Sequence, residues 1–107
     1  MNQFDLQIDV ARDAATLHLV GELDVVSAPE LRDHVVRLIS EGRNHLVFDC
    51  DKLEFVDSTG LGVLIGARAR CLAANGTVAL ASVRPPLHRL LTVTGIDGLF
   101  PEHTAAA

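Results

Sequence analysis

The chain contains no tryptophan and no tyrosine, and its aromatic residues are Phe4, Phe48, Phe55 and Phe100. Stacking of bases on aromatic rings, the common grip on single-stranded nucleic acid, has little to draw on here. A basic surplus is missing too: 9 Lys and Arg stand against 14 Asp and Glu, a formal net charge of −5. Binding a phosphate backbone calls for the opposite sign, so nucleic acid is not an expected partner. Cysteine is scarce. Cys50 and Cys71 form no CxxC pair and have no second pair to complete a metal site, so they are expected as small buried hydrophobes in a reducing compartment. Long apolar runs are absent as well. The longest apolar-rich stretch, Leu61 to Ala67, falls far short of the roughly 20 residues that cross a bilayer. Asp5 and Asp9 interrupt the start, where a secretory signal would be apolar. Together these features predict a cytoplasmic protein with no membrane partner, no metal and no cofactor.

What is present supports one folded domain over residues 1–107. The chain is 49% apolar, and a second domain would leave about 50 residues for each, near the lower limit for a self-supporting core. The core volume must come from aliphatic side chains. The tail over 103–107, ending in three alanines, is expected to fray. No heptad or large apolar patch marks an oligomer interface, so a monomer or weak dimer is expected.

Phe4, Leu6, Ile8 and Val10 alternate with Asp5, Gln7 and Asp9, the period of a half-buried strand. After a turn over Ala11–Ala14, Leu17 and Leu19 alternate with Thr16 and His18, and two strands so close together predict an antiparallel hairpin. Gly21-Glu22-Leu23-Asp24 ends it. Ser27-Ala28-Pro29-Glu30 reads as a capping box, with Ser27 capping a helix and Glu30 reaching back. Leu31, Val35, Leu38 and Ile39 carry that helix to a stop at Gly42. A buried strand over His45–Cys50 follows, then a helix from Ser58 to Asn75-Gly76 and a strand over Thr77–Ala81. A third helix opens at Pro85-Pro86 and ends at Gly95, and Leu99-Phe100 is expected as a short final strand. Strands separated by helices pair in parallel through right-handed crossovers. The fold class is therefore α/β: a small mixed sheet of four to five strands with an antiparallel N-terminal hairpin. Its parallel strands share one carboxyl edge, which brings Asp24 and the Asp57-Ser58 turn to one rim.

The informative stretch is Phe55-Val56-Asp57-Ser58-Thr59-Gly60-Leu61-Gly62-Val63-Leu64, with Asp57, Ser58 and Thr59 at its centre. Three successive N-cap residues precede an apolar helical pattern. On one reading they only cap the helix. On the other, the redundancy of three caps and the low steric cover of Gly60 and Gly62 leave the Ser58 hydroxyl open to another protein or to a phosphate. Gly62, Gly66, Ala69 and Ala73 form a smooth stripe on the same helix, read either as close packing on the sheet or as a docking surface. Catalytic readings find no support. A nucleophile elbow needs Gly where Val56 stands. Gly60-x-Gly62 lacks the third glycine of a dinucleotide fingerprint, and no GK[ST] follows. No metal-binding spacing occurs. His18, His34, His45, His88 and His103 are scattered, and each is expected on a surface or helix flank.

The block Asp57 to Gly62 preceded by the hydrophobic Phe55-Val56, the upstream Gly21-Glu22-Leu23-Asp24 and the downstream Thr94-Gly95-Ile96-Asp97-Gly98-Leu99-Phe100 together resemble the anti-sigma factor antagonists, which are single STAS domains. The resemblance covers roughly residues 4 to 102. It implies a mixed sheet with helices mainly on one face. It also implies a partner-switching function: the unmodified antagonist binds an anti-sigma factor that is also a serine kinase, which frees a sigma factor for transcription. The kinase would phosphorylate the first hydroxyl of the motif, here Ser58, with Thr59 the alternative acceptor, and a phosphatase would reverse the change. Asp24 matches the family's acidic position near that site. Asp24, Asp57, Ser58, Thr59, Gly60, Leu61 and Gly62 are thus the expected partner-binding residues of a non-enzymatic phosphoprotein. The alternatives are a STAS scaffold or transporter-associated module without phosphorylation, and a nucleotide-binding or weakly hydrolytic domain using the Gly60-Leu61-Gly62 turn.

Overall fold

The computed structural model describes residues 3–100. Its elements follow the order β1 (Phe4–Val10), β2 (Ala14–Leu23), α1 (Ala28–Ser40), β3 (His45–Val56), α2 (Ser58–Ala73), β4 (Thr77–Ala81) and α3 (Pro85–Val93), then a 3-10 turn over Asp97–Leu99. The strands stand side by side in the order β1-β2-β3-β4. β1 and β2 form the expected hairpin, with Phe4 opposite Gly21 and Val10 opposite Ala15. β2, β3 and β4 run parallel. Both parallel crossovers advance across the sheet in the same direction. Since each is right-handed, α1 and α2 must lie on the same face.

That face holds the core. Leu17, Leu19, Leu46, Phe48 and Leu80 point into it from the strands and are fully or almost fully buried, as are Leu31 and Val35 of α1 and Leu64 of α2. The other face is polar and half-exposed, with Thr16 and His18 on β2 and Asp49 on β3. Cys50 and Cys71 are free thiols inside the core, and burial pushes them up to about 12 and about 11. Among the described residues, no helix is long and apolar enough to cross a membrane.

Several elements depart from expectation. The final strand is absent from the described residues: Asp97–Leu99 makes a 3-10 turn, and Phe100 is buried in the core beside Leu91 and Val83. Among the described residues the sheet therefore has four strands. β3 continues past Cys50 to Val56. Its pairing with β2 shifts register between His18 and Val20 and again between Gly21 and Glu22. Extra residues in β3 let it stay paired while its alternation breaks, as bulges do, and the charged run over Asp51–Glu54 hides it. The capping box does not form. Ser27 is helical in conformation, and no side chain caps α1 at that position. The expected tail over 103–107 lies outside the described residues.

The small-residue stripe faces away from the sheet: Gly62, Ala69 and Ala73 are exposed, while Leu61, Leu64, Ala67 and Cys71 pack inward. Nothing lies within 4 Å of where a Cβ on Gly62 or Gly66 would stand. Close packing on the sheet therefore does not explain the stripe. Gly60 is different. A Cβ there would lie 2.5 Å from the Leu23 carbonyl oxygen and 2.8 Å from Leu23 Cγ. That carbonyl cannot retreat freely, because it accepts the Asp57 amide at 3.1 Å. Glycine at 60 lets α2 sit against the end of β2. Gly42, at φ +87, closes α1 as expected: Arg43 N donates to Leu38 O and Gly42 N to Ile39 O, a Schellman motif.

Gly60→Ala should lower stability by about 1–3 kcal/mol through overpacking. Gly66→Ala, in open space on a helix, should raise it by about 0.5–1 kcal/mol. Urea unfolding midpoints of the two variants check both signs.

Candidate functional site

The carboxyl ends of β2 and β3 meet at one rim, and Asp57 organises it. As the N-cap of α2, it accepts the Gly60 amide on Oδ1 at 2.8 Å. Its other oxygen, Oδ2, accepts the Val25 amide at 3.1 Å. One carboxylate therefore caps a helix and pins the turn that follows β2.

Asp24 organises that turn from within. Its Oδ1 accepts the amides of Val26 and Ser27 at 3.0 and 3.1 Å, and its carbonyl accepts the Ala28 amide at 2.8 Å. Asp24 thus does for the entry to α1 what the sequence pattern assigned to Ser27. Ser27, only 3% exposed, turns inward. Its hydroxyl donates to the Glu22 carbonyl at 2.8 Å and accepts the Asp24 amide at 2.9 Å. A buried hydroxyl needs both kinds of partner, and here it welds the end of β2 to the start of α1.

Ser58 is the first residue of α2, and both Ser58 and Thr59 are exposed. The first amides of a helix have no acceptor within it, and of these Asp57 takes the one on Gly60. Asp24, Asp57, Ser58 and Thr59 thus share the rim. Gly60 and Leu61 do not share its surface: both are buried and set the depth at which α2 docks. Gly62 is exposed one turn further along. It lines a recess of about 170 Å³ between α1 and α2 with Thr59, Gly66 and Arg32. The Gly60-Leu61-Gly62 segment is therefore helix packed on β2, not an open glycine loop that could cradle a phosphate.

Sequence reasoning missed the exposure of three apolar residues near the rim. Val25 and Val26, between Asp24 and Ser27, are 63% and 66% exposed, and Phe55 is 51% exposed. Phe55 borders an apolar recess of about 230 Å³ that Leu53, Pro86, Leu87 and Leu90 also line. A signal for Val25 and Val26 was available: two apolar residues inside a turn belong to no core periodicity. Phe55 was hidden by the register shifts of β3. Large apolar side chains held out in water beside an accessible hydroxyl are what a protein-docking rim requires.

The STAS domain family model matches residues 5–106. The chain is 33% identical over 100 residues to the anti-sigma F factor antagonist of Paenibacillus polymyxa, an alignment covering 91% of this chain and 86% of that protein. It is 34% identical over 98 residues to the anti-sigma-B factor antagonist of Bacillus subtilis strain 168, covering 92% and 81%. Among solved structures, it resembles the anti-sigma factor antagonist SpoIIAA in its unphosphorylated form, with 25% identity, TM-score 0.72 and coverage of 84% and 82%. SpoIIAA from Bacillus has also been solved in a phosphorylated form, which aligns with TM-score 0.74 at 24% identity over 95% and 92%.

Asp57→Ala should cost about 1–2 kcal/mol as a lost N-cap. It should also speed hydrogen exchange at the Val25 amide, which loses its acceptor. Urea unfolding measures the first effect and NMR exchange the second.

Proposed function

The chain belongs to the STAS domain family, and from that premise we propose that it is an anti-sigma factor antagonist switched by phosphorylation at Ser58. In its unmodified form it binds an anti-sigma factor that is also a serine kinase, and the bound sigma factor is released for transcription. The kinase transfers a phosphoryl group from ATP to Ser58 and the complex parts. A phosphatase restores the hydroxyl by hydrolysis. The exchange takes place in the cytoplasm, and the chain's part in it is that of ligand and substrate.

The observation that carries this reading is the Ser58 hydroxyl, exposed at the first position of α2 on a rim flanked by Val25, Val26 and Phe55. In phosphoryl transfer the Ser58 oxygen forms a bond to the γ-phosphorus as the bond to ADP breaks, and a base of the kinase takes the hydroxyl proton. Such a nucleophile must be reachable, and Ser58 is. The first hydroxyl of the motif is preferred over Thr59, which stands beside the α1–α2 recess. Names of the relatives support the role: they are antagonists of anti-sigma factors.

The energetics favour a switch that acts on binding and leaves folding alone. Phosphate adds about −1.5 to −2 charges. At a helix N-terminus it gains about 0.3–1 kcal/mol from the dipole and free amides. Repulsion from Asp57 and Asp24 opposes that gain, so the isolated domain changes little. In a docked interface, like charges brought together cost several kcal/mol, and about 2.7 kcal/mol already means a 100-fold loss of affinity.

Titration calorimetry against the anti-sigma factor kinase provides the test. Ser58→Ala should bind and remain bound in the presence of ATP, whereas Ser58→Asp should bind about tenfold or more weakly. Phe55→Ala should also weaken binding, by about fivefold or more, as loss of an apolar anchor. Mass spectrometry after kinase treatment should show one added phosphate on the wild type and none on Ser58→Ala. A phosphate persisting on Ser58→Ala would move the acceptor to Thr59. Binding with no phosphorylation of either residue would overturn the switch in favour of a constitutive scaffold.

A further inference from the structure

The sheet face opposite the helices carries a cluster with no part in the rim. Asp9 of β1, His18 of β2 and Asp49 of β3 lie across three neighbouring strands. His18 Nε2 is 2.8 Å from Asp9 Oδ2, and His18 Nδ1 is 2.7 Å from Asp49 Oδ2. The ring is one-third exposed, Asp49 is 28% exposed, and Asp9 stands largely in water at 82%. Around them is a polar basin of about 330 Å³ that Gln7, Asp51 and Lys52 also line.

Hydrogen-bond arithmetic decides the state of the ring. A neutral imidazole has one N–H and one lone pair. Either tautomer would therefore turn a lone pair toward a carboxylate oxygen at under 3 Å on one side. Only the imidazolium donates to both carboxylates, and charge-assisted bonds of this kind are the strong ones. The helices pack on the opposite face, so the groups facing His18 come from strands alone: Asp9 and Gln7 of β1, and Asp49, Asp51 and Lys52 of β3. Three carboxylates and one ammonium surround the ring, and the cation is favoured from both flanks.

We propose that the His18 imidazolium is a proton-operated clasp that fastens the edge strand β1 across β2 to β3. Among the described residues β1 has a sheet neighbour on one side only, so such a link matters more there than in mid-sheet. Hydrogen bonds from His18 first to Asp49 and then to Asp9 raise its pKa above the ordinary 6.5, against a smaller opposing effect of burial. The sign follows. The clasp contributes fully at pH values below the unfolded value of about 6.5. Its contribution is lost as pH rises through the higher folded value, where the folded ring gives up its proton. Above that point one contact becomes repulsive and the Asp9 end of β1 loosens. This device is independent of the function proposed for the rim.

The test is NMR on the intact chain. The titration midpoint should lie above about 6.5, and at pH values below it long-range ¹H–¹⁵N spectra should show both His18 ring nitrogens protonated. Asp49→Asn and Asp9→Asn should each lower the midpoint, the first by more. Corrected for base-catalysed exchange, protection of the β1 amides bonded to β2 should fall as pH rises through the midpoint. The fall should be about tenfold for each unit by which the midpoint exceeds the free value. In His18→Gln that step should vanish. A midpoint at or below about 6.5, a midpoint unmoved by Asp49→Asn, or the same loss of β1 protection in His18→Gln would each overturn the proposal.

Discussion

The arrangement at the rim depends on one carboxylate with both oxygens committed. Asp57 caps α2 through the Gly60 amide and holds the turn after β2 through the Val25 amide. The wider of the two contacts spans 32 residues in sequence, and together they fix the mutual position of two crossover connections. The backbone adds a third tie, since the Asp57 amide donates to the Leu23 carbonyl. That same carbonyl requires glycine at 60. Capping, strand pairing and helix docking therefore share a few atoms, and the exposed hydroxyl next in the chain inherits their rigidity. Helix caps are common and individually modest. Here the cap gains weight because its second oxygen is spent on a different element.

The coarse architecture was legible because each local signal agreed with the global one. Alternation from Phe4 to Val10, the Leu31–Ile39 periodicity, Gly42 and the double proline at 85–86 all point the same way in the structure. Consistency across levels of this kind is what makes a fold readable. The misses have physical causes. β3 beyond Cys50 was hidden because register shifts break the two-residue period on which strand reading depends. A serine three residues before a glutamate has the pattern of an N-cap, yet Ser27 does not cap α1. The polar demands of its buried hydroxyl are met elsewhere, and Asp24 takes over the amides.

At the site, the rim positions of Asp24, Asp57, Ser58 and Thr59 followed from topology alone, since parallel strands ending on one edge bring their following turns together. Burial did not follow from it. Gly60 and Leu61 belong to the same short motif but face inward, because helical geometry turns successive residues by about 100° and a motif read as a string has no faces. Nor could linear reading find the exposure of Phe55, because the register shifts of β3 break the alternation that would assign its face. The cluster of Asp9, His18 and Asp49 was equally invisible: its members come from three strands, and only the register brings them together.

The unequal lengths of β3 and β4 have a further consequence. β4 ends opposite Asp49, whereas β3 runs on to Val56 and keeps β2 as its neighbour to Leu23. Past Asp49, β1 still flanks β2 as far as Phe4 opposite Gly21, and the free side of β3 is bordered by α3, whose Pro86, Leu87 and Leu90 line a recess with Leu53 and Phe55. A helix thus closes the edge that β4 vacates, and the Asp51 carbonyl there meets the Arg84 guanidinium at 2.9 Å where a strand amide would otherwise donate.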